Sequence, residues 1–551
     1  MATVSAHVAH ALSAHVDHVF GLMGNGNAAF LDALHDTETA YTAVRHEAGA
    51  VVAADAYHRA SGRLAVATAT YGAGFTNTLT ALAEAVQAHI PLVLVVGDGP
   101  TSGPRAWDVD QIALASAVGA RTYTVGRTDA ATTAVIAVEH ALNFRVPTVL
   151  AIPYDVSVRE GGDLHTPSEL VFPPTTTPAG PFATQVVAEL AETLAGARRP
   201  FLLAGRGAWL ADAGEALGAL ADATGAITAS TALARGIFPD ARHDLGVTGG
   251  FGAAGAMDLV RDADVAVVFG ASLNQFTMRF GELFAPGTRV VQVDVAPAAT
   301  HPHVGAYVRG DAAVVARALV AELEALGATP SGWRESVDLE PRRAHDPGVG
   351  VVAADGRLDP RSVAARIGEM LPADRVVVSD GGHFIGWANM YWPVAAPDRM
   401  LMVGTAFQSI GLGLPSVPGA AAAKPDATIV LSTGDGGALM ALADLETAVR
   451  TAGGRGVAVV WNDAAYGAEV HLYGLQGYAE APMRIPEADF AGLAAAVGAE
   501  GVVVRELADL DRLATWTAEP VDARRFLLLD CRISGSVIAP YQHEIIAVNT
   551  R

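Results

Sequence analysis

The chain has 551 residues, of which 51% are hydrophobic and 17% are charged, and its formal net charge is −22. This length and apolar content predict about three folded domains of ordinary size and exclude a disordered chain. The acidic balance excludes nucleic acid as a partner because nucleic-acid binding needs a basic surface, and the single cysteine excludes a disulfide framework and a thiolate metal cluster.

Short apolar runs that have the composition of buried strands alternate with alanine-rich helical stretches along the chain. In chain order the predicted strands are Val19–Met23, Leu64–Thr68, Leu92–Val96, Thr148–Ile152, Pro200–Leu203, Val265–Phe269, Arg289–Val293, Arg375–Val378, Thr428–Leu431, Val457–Trp461 and Phe526–Leu529. This alternation predicts an α/β fold of doubly wound parallel sheets with helices on both faces. No run has the ~18 uncharged apolar residues of a membrane span, and the first residues lack a signal-peptide pattern, so we expect a cytoplasmic protein without a membrane partner.

Two segments rich in proline and glycine divide the chain into three units. The first is 172–181 and the second runs from about 330 to 357. They predict domains over 1–171, 182–330 and 355–551. Whether the first and third domains share a fold is left open by the sequence.

The first predicted strand is followed by Gly24-Asn-Gly-Asn-Ala-Ala29, which matches the pattern G-x-G-x-x-A, and Glu47 comes about 20 residues later. In dinucleotide-binding folds such a turn approaches the pyrophosphate and the acid binds the ribose. This segment alone therefore leaves NAD binding as an alternative. A short match of this kind is weak, because any tight turn between a strand and a helix can use two glycines.

The most specific motif lies in the third unit. The run Gly434-Asp435-Gly436-Gly437 follows a predicted strand and precedes a helix predicted over Ala438–Thr451, and Asn462 ends the next strand. Because parallel strands end at one sheet edge, Asp435 and Asn462 can meet there and supply hard oxygen ligands to Mg²⁺. The glycines and the helix N-terminus would face a diphosphate. The glycines alone would also fit a tight turn, but their pairing with Asn462 favours metal and diphosphate binding.

A GDG run followed at this distance by an asparagine resembles the thiamine-diphosphate motif. Over nearly all of its length, the chain resembles the superfamily of acetolactate synthases, benzaldehyde lyases and 2-oxo acid decarboxylases. This resemblance implies a pyrimidine-binding, a central and a diphosphate-binding domain, in that order. It implies thiamine diphosphate and Mg²⁺ as cofactors, with the metal held by Asp435, Asn462 and the carbonyl of Ala464. It also implies a homodimer or homotetramer, because in this family two subunits share each cofactor.

The resemblance gives Glu47 a catalytic role. In this family a glutamate at this place hydrogen-bonds N1′ of the aminopyrimidine and favours the tautomer that removes the C2 proton. The alternative for Glu47 is a surface ion pair with Arg45. The segment 71–77 resembles the family loop at the pyrimidine, which implies that Gly72 and Asn77 border the ring, and its alternative is an ordinary turn.

Three more residues of the third unit take cofactor-binding roles from the resemblance. Ile410 would wedge beneath the cofactor and hold its two rings in a V shape, unless it only packs in the core. His383 falls where related enzymes contact the diphosphate. Tyr466 begins the helix that follows the metal site.

The central unit resembles the family's central domain, in which acetolactate synthases bind a non-redox FAD. The acidic segment of those enzymes is replaced here by Ser272-Leu273-Asn274, which argues against FAD. The same segment has some similarity to 2-hydroxyacyl-CoA lyases, which bind an adenosine diphosphate group. A purely structural central domain is the third alternative.

The partners that the resemblance implies are small-molecule carbonyl substrates. The candidate substrate residues are Asn25, Trp107, Gln111, Ala468 and His471. The segment 466–471 looks more like benzaldehyde lyase than acetolactate synthase, and Ala468 would leave room above the reactive C2 carbon. Trp107 stands where several lyases carry a substrate-facing glutamine, unless Gln111 reaches in.

We therefore predict a thiamine-diphosphate- and Mg²⁺-dependent lyase or carboligase (transferase), similar to acetolactate synthase, that forms or cleaves a C–C bond next to a carbonyl. Its substrate would be a 2-oxo acid or a 2-hydroxy ketone. A 2-oxo acid decarboxylase and a 2-hydroxyacyl-CoA lyase are alternatives in the same superfamily. An NAD-dependent dehydrogenase is the alternative of another class. A non-catalytic homologue would usually lack Glu47 or Asp435, and both are present.

Overall fold

The computed structural model of the protein describes residues 1–178 and 183–549. Over these residues the chain forms three six-stranded parallel sheets with helices packed against them, which confirms the predicted fold class. Central strands such as Thr428–Gly434 and Gly456–Asn462 are buried at every residue, because helices cover both faces of each sheet. No helix in the described part of the chain is long and apolar enough to cross a bilayer.

The first sheet lies between residues 18 and 153. Its strands, in spatial order, are Ala40–Ala43, His18–Gly21, Val66–Ala69, Leu92–Asp98, Pro147–Pro153 and Arg121–Thr124. The helices of this unit are Val4–Ser13, Ala28–His35, Glu47–Ser61, Ala73–Thr76, Leu79–Gln87, Gln111–Ala117 and Ala130–Phe144. A small antiparallel pair, Ala2–Thr3 with Glu160–Gly162, joins the two ends of the unit.

The central sheet has a different strand order. Its strands, in spatial order, are Asp244–Val247, Ile227–Ser230, Pro200–Ala204, Val265–Phe269, Arg289–Asp294 and Val304–Arg309. Its helices are Ala183–Ala195, Arg206–Leu210, Gly214–Thr224, Ala254–Asp262 and Ala312–Ala325. Numbered along the chain, the strands run 3-2-1-4-5-6, the order of dinucleotide-binding folds.

The third sheet repeats the order of the first. Its strands, in spatial order, are Met400–Met402, Arg375–Ser379, Thr428–Gly434, Gly456–Asn462, Leu527–Arg532 and Glu500–Val504. Its helices are Pro360–Met370, Ile385–Tyr391, Gly413–Ala423, Asp435–Met440, Leu445–Ala452, Gly467–Leu472, Phe490–Ala496, Asp511–Ala518 and Pro540–Asn549. The first and third sheets both run 2-1-3-4-6-5, so these two units share a topology that the sequence left open.

The first and third units pack directly on each other through the helices Glu47–Ser61 and Gly413–Ala423. A Cβ built on Gly419 would lie 2.0 Å from the carbonyl oxygen of Ala53, so only glycine permits this close approach. Buried apolar residues on the facing sides of the two units form one continuous cluster, and the outer faces of the two sheets have clusters of their own. This packing fixes the position of Glu47, the first residue of its helix, relative to the third sheet.

One predicted helix is wrong in its bounds. The stretch predicted as a helix over Ala438–Thr451 is two helices, Asp435–Met440 and Leu445–Ala452, separated by a 3₁₀ turn at Leu442–Asp444. The break places the carboxylate of Asp444 against the first unit, where its Oδ1 accepts a hydrogen bond from the backbone N–H of Arg45 at 3.2 Å.

The two predicted linkers differ in structure. Residues 172–178 contain no regular element, and 179–181, the rest of the first linker, lie outside the described residues. The second linker contains the short helix Glu340–Arg343. The exact domain boundaries stay a prediction.

Candidate active site

The third sheet has a switch point at the carboxyl ends of its central strands. After the strand Arg375–Ser379 the chain continues to the strand on one side of it, and after Thr428–Gly434 it continues to the strand on the opposite side. The loops that follow these two adjacent strands therefore diverge, and such a switch point generally leaves an open crevice between them. Asp380 follows the first of these strands. The second strand ends at Gly434 and the helix Asp435–Met440 begins at once, so the predicted Gly434–Gly437 turn is the tight junction of this strand and this helix. Asn462 ends the next strand.

Asp435 and Asn462 each present a buried oxygen without a partner to this crevice. Gly434 pairs with Trp461 across the sheet, which makes Asp435 and Asn462 neighbours. Oδ1 of Asp435 accepts a hydrogen bond from the N–H of Gly436 at 2.8 Å, and Nδ2 of Asn462 donates to Asp530 at 2.9 Å. Oδ2 of Asp435 and Oδ1 of Asn462 are buried and accept no hydrogen bond. Burying a polar oxygen without a partner costs free energy unless a ligand binds it. A carboxylate and an amide oxygen are suitable ligands for a hard divalent cation.

The electrostatics of this crevice also favour a cation. Burial, together with the negative charge of Asp463, raises the pKa of Asp435 to about 7. Burial likewise raises the pKa of Asp463 to about 6. A cation beside these carboxylates would offset both effects. The described residues contain no group of three or more His, Cys, Asp or Glu side chains that could hold a metal, so a cation here would need amide or backbone ligands as well.

Ala464 follows this pair of residues and has an unusual backbone conformation. Its φ is +59°, in the left-handed region that costs a residue with a side chain roughly 1–2 kcal/mol. The residue lies between Asp463, whose Oδ1 accepts a hydrogen bond from Ala465 N at 3.2 Å, and the buried Ala465. The chain therefore turns sharply at the place where the sequence predicts a carbonyl ligand.

The glycines of the turn are required by the packing around them. A Cβ on Gly434 would lie 2.8 Å from an aromatic ring, and one on Gly436 would lie 2.6 Å from the ring of Tyr466. A Cβ on Gly437 would lie 2.6 Å from Oδ2 of Asp380. Tyr466 therefore lies against the turn, and its contact with a cofactor stays a prediction. Asp380 is a buried residue of this site to which the sequence analysis gave no role.

Glu47 and Asn77 meet at the corresponding edge of the first sheet. Nδ2 of Asn77 donates a hydrogen bond to Oε2 of Glu47 at 3.0 Å, and Oε1 of Glu47 lies 3.4 Å from a Cβ built on Gly74. Arg45 pairs with Glu446 at 2.9 Å and not with Glu47, so the alternative of a surface ion pair for Glu47 is not realised. The half-buried carboxylate is held toward the loop that resembles the pyrimidine-binding segment.

Gly72 and Gln111 are bonded to each other in this loop. Gly72 has a φ of +60°, and its N–H donates to Oε1 of Gln111 at 2.8 Å. Nε2 of Gln111 donates to the carbonyl of Gly97 at 2.9 Å, and the residue is 3% exposed. Gln111 therefore supports the loop. This differs from the predicted substrate-facing role, because the oxygen and the nitrogen of its side-chain amide both bond to the backbone.

Asn25 and Trp107 lie at the open mouth of the same edge. Nδ2 of Asn25 donates to the hydroxyl of Tyr71 at 2.8 Å. The guanidinium of Arg105 lies 4.2 Å from the centre of the Tyr71 ring and is paired with Asp108 at 2.8 Å. The side chain of Trp107 is 64% exposed. Both candidate substrate residues are therefore accessible.

The glycine turn after the first strand has its polar groups satisfied by the protein itself. Oδ1 of Asn27 accepts from Gly24 N at 2.8 Å, and Nδ2 donates to Thr68 at 3.0 Å. The N–H of Gly26 donates to Oγ1 of Thr70 at 2.9 Å. These contacts occupy the backbone donors that a dinucleotide pyrophosphate would need, which argues against the NAD alternative.

His383 and His471 form a buried pair under the C-terminal segment. Their rings are 4.4 Å apart, and Nε2 of His383 accepts a hydrogen bond from Ala539 N at 3.0 Å. Nε2 of His471 lies 2.8 Å from the carbonyl of Gly535, to which it donates. Burial lowers the pKa of both rings, that of His383 to about 3, so both are neutral. Nε2 of His383 is not available to a diphosphate, in contrast to the predicted contact. Ala468, one position into the helix Gly467–Leu472, is partly exposed.

The loops at the switch point of the central sheet lie against each other. Gly207 N donates to the carbonyl of Gly270 at 2.8 Å, and a Cβ built on Gly205 would lie 2.4 Å from the same oxygen. Arg206, between the two glycines, donates to the carbonyl of Ala88 in the first unit. The loops at this switch point contact each other directly.

Three family models match consecutive parts of the chain. They are the thiamine pyrophosphate enzyme N-terminal TPP binding domain at residues 2–115, the central domain at 187–319 and the C-terminal TPP binding domain at 380–531. The chain is also similar to acetolactate synthase from Mycobacterium bovis (28% identical, over 88% of this chain and 81% of that protein). It is similar to the acetolactate synthase isozyme 2 large subunit from Escherichia coli (29% identical, 80% of each). A sulfoacetaldehyde acetyltransferase from Roseovarius nubinhibens is 26% identical over 96% of this chain and 92% of that protein.

Proposed function

This chain belongs to the thiamine pyrophosphate enzyme family, and from that membership we propose that it is a Mg²⁺-dependent lyase or carboligase acting next to a carbonyl group. It is a thiamine-diphosphate-dependent enzyme of the acetolactate synthase and sulfoacetaldehyde acetyltransferase type. We propose a 2-oxo acid or a 2-hydroxy ketone as the substrate of this enzyme.

The observation that carries the metal assignment is the pair of unpartnered oxygens on Asp435 and Asn462. We assign these two side chains and the carbonyl of Ala464 as the protein ligands of Mg²⁺. The Gly434–Gly437 turn would receive the diphosphate, because it opens a helix at the sheet edge. Mg²⁺ would neutralise the charge of the diphosphate there.

We assign to Glu47 the role of exchanging a proton with the pyrimidine ring. Bound thiamine diphosphate supplies an electron sink for chemistry at the carbon next to a carbonyl. Glu47 would exchange a proton with the ring through Oε1, while Asn77 holds Oε2. Ile410, half-buried with Cγ2 3.2 Å from a Cβ built on Gly381, would shape the floor of the site.

We propose a homodimer or homotetramer as the working unit, and exposed apolar side chains near the first and third sheets support it. Large apolar side chains stay exposed near both sheet edges, among them Met23 (69%) and Trp107 (64%) in the first unit and Met440 (57%) in the third. A second copy that covers these side chains would bring the first unit of one subunit to the third unit of the other. A cytoplasmic location belongs to the same proposal. The direct contacts between the switch-point loops support a structural central domain.

Carboligation is the reaction that we propose over simple release of an aldehyde. Release needs an acid that can protonate the product carbon, and His383 and His471 are neutral and bonded to backbone groups. The turn after the first strand offers Asn25 and Asn27 in place of an acid. The relatives are named for acetolactate synthesis and acetyl transfer, which supports acyl transfer to a second carbonyl.

Product analysis tests the reaction. The protein is incubated with Mg²⁺, thiamine diphosphate, pyruvate or benzoylformate, and an acceptor aldehyde. We expect a 2-hydroxy ketone whose amount rises with the acceptor concentration. Free aldehyde as the sole product at every acceptor concentration would make the protein a decarboxylase and overturn the proposal.

Calorimetry tests the metal site. Asp435→Ala should abolish measurable binding of thiamine diphosphate with Mg²⁺, because it removes one of two side-chain ligands. Asp489→Ala is the control, since Asp489 is an exposed aspartate of the same domain that caps the helix Phe490–Ala496. Unchanged affinity in Asp435→Ala would remove the metal assignment.

A further inference from the structure

The loop 404–412 joins the strand Met400–Met402 to the helix Gly413–Ala423 and carries Ile410. Its backbone is irregular, and Gln408 has a φ of +58°. A residue with a side chain adopts this left-handed conformation at a cost, and it persists only where the surroundings determine it. The loop therefore needs fixed contacts on both sides of Gln408.

On one side the loop is held by Asp380. Oδ1 of Asp380 accepts hydrogen bonds from Gly411 N at 3.0 Å and from Leu412 N at 3.2 Å. Oδ2 accepts from Oγ1 of Thr433 at 3.0 Å, and Thr433 directly precedes the diphosphate turn. Asp380 is fully buried. One carboxylate thus joins the loop of Ile410 to the strand that ends in the turn.

On the other side the loop is held by a carboxylate of the first unit. Oε2 of Glu84 accepts a hydrogen bond from Phe407 N at 2.7 Å. Oε1 of Glu84 is paired with Arg59 at 3.3 Å, and Arg59 is also paired with Asp55. Glu84 is 1% exposed, so its charge depends on compensation within the protein, from Arg59 in contact and from the nearby guanidinium of Arg206. The loop is therefore attached to two units at once.

We propose that Asp380 and Glu84 are positioning residues that together fix loop 404–412, and with it Ile410, relative to the diphosphate turn. The inference rests on the proposed function, because the role of Ile410 at the cofactor belongs to that proposal. Neither carboxylate faces solvent, so each acts through the backbone that it holds. Hydrogen bonds from N–H groups to a buried carboxylate are stronger than neutral ones, which suits them to hold a strained loop.

Hydrogen exchange of the full-length protein without added cofactor tests the contacts themselves. In Asp380→Ala we expect the amides of Gly411 and Leu412 to exchange at least about tenfold faster, because they lose a charged acceptor. In Glu84→Ala the amide of Phe407 should respond in the same way. Asp380→Asn and Glu84→Gln keep an acceptor oxygen, so they should give intermediate rates and serve if an alanine variant fails to fold.

The matched control is Asp359→Ala. Asp359 is fully buried in the same domain and accepts a hydrogen bond from Val349 N at 3.1 Å, but it contacts no residue of the loop through a hydrogen bond. Its loss should leave the amides of Phe407, Gly411 and Leu412 unchanged.

Cofactor affinity and kinetics test the positioning role. In Asp380→Asn and Glu84→Gln we expect kcat to fall at least about tenfold with a smaller change in substrate KM, because a misplaced floor of the site affects the reacting geometry. In Ile410→Ala, kcat should fall to a similar extent, and the hydrogen exchange of the Phe407 amide should be unchanged. The double variant of Asp380 and Ile410 should be little worse than Ile410→Ala alone.

The outcomes separate the two proposals. Faster loop exchange with unchanged kcat in both carboxylate variants would show that the contacts are structural only and would overturn this inference. Unchanged hydrogen exchange of the loop amides in both carboxylate variants would show that these hydrogen bonds do not hold the loop, and would also overturn this inference. If Ile410→Ala keeps full activity, the assigned role of Ile410 fails, and this inference fails with it. If calorimetry detects no binding of thiamine diphosphate to the native protein or to any variant, the proposed function is wrong.

Discussion

Asn77 donates a hydrogen bond to Glu47, with 3.0 Å between Nδ2 and Oε2. The bond joins the loops that follow Ala40–Ala43 and Val66–Ala69, the two strands on either side of His18–Gly21. Glu47 is the first residue of its helix, and the buried Asp444 of the third unit contacts the backbone just before it. Asp444 of the third unit therefore holds the backbone before Glu47, and Asn77 of the first unit holds one carboxylate oxygen. The other oxygen lies 3.4 Å from a Cβ built on Gly74.

Glu47→Gln should keep the fold and most of the cofactor affinity but lose activity by orders of magnitude. A glutamine can still accept from Asn77 and hydrogen-bond a ring nitrogen, but it cannot exchange a proton with it. The exchange of the cofactor's C2–H in deuterated water should slow accordingly. Glu446→Gln is the control, because Glu446 is a partly exposed glutamate nearby that pairs with Arg45. Normal C2–H exchange in Glu47→Gln would contradict its role.

The fold and the meeting of Asp435 with Asn462 could be predicted because both depend on local patterns, whereas their role as metal ligands stays a prediction. Buried parallel strands have an unbroken apolar composition, and the GDG run with Asn462 lies at strand ends that any parallel sheet brings together. The break between Asp435–Met440 and Leu445–Ala452 could not be predicted, because the contact of Asp444 that accompanies it is with a residue almost 400 positions away.

The residues that support the site were also beyond the sequence. Asp380 and Glu84 are ordinary acids in the sequence, and only the tertiary structure brings their oxygens to the backbone of loop 404–412. Gln111 and His383 were placed near the site by resemblance. Their hydrogen bonds to Gly72 and Ala539 depend on loop geometry that a motif does not encode.

Ala464→Gly should leave stability unchanged or raise it slightly, whereas Ala464→Val should destabilise the protein by about 1–2 kcal/mol or more. The reason is the φ of +59° at this residue, which glycine adopts freely and a β-branched residue resists. If the carbonyl of Ala464 is a metal ligand, the valine variant should also bind Mg²⁺ more weakly. Denaturant unfolding and calorimetry measure the two effects. Equal Mg²⁺ affinity in both variants would count against the carbonyl as a ligand.

Mixing Glu47→Gln with Asp435→Ala should restore part of the activity that each variant lacks alone. If the first unit of one subunit completes the site with the third unit of another, a mixed dimer contains one site with both residues intact. Subunit exchange is first verified with differently tagged proteins, and mixing two preparations of the same variant is the control. Verified exchange without any recovery would place both residues of a site on one subunit.

Stability should fall as the pH is lowered from about 6.5 to about 4, and His58 should contribute to that fall. Burial lowers the pKa of His58 from its ordinary 6.5 to about 4, although its Nδ1 lies 3.0 Å from the carbonyl of Arg63. The folded protein keeps this ring neutral while the unfolded chain takes up a proton, so the stabilisation is complete above pH 6.5 and is lost through this window. At pH 5 the loss from His58 is about 2 kcal/mol.

The variant His58→Gln isolates this contribution. The glutamine side chain does not titrate, so the drop in unfolding midpoint between pH 7 and pH 5 should be smaller than in the native protein. His18 and His345, whose pKa values burial also lowers to about 4, should still produce part of the drop. His165→Gln, at an exposed histidine, should reproduce the native pH dependence. An equal drop in His58→Gln and the native protein would mean that His58 takes up its proton without loss of stability. Its burial and the nearby positive charges of Arg145 and Arg206 argue against that outcome.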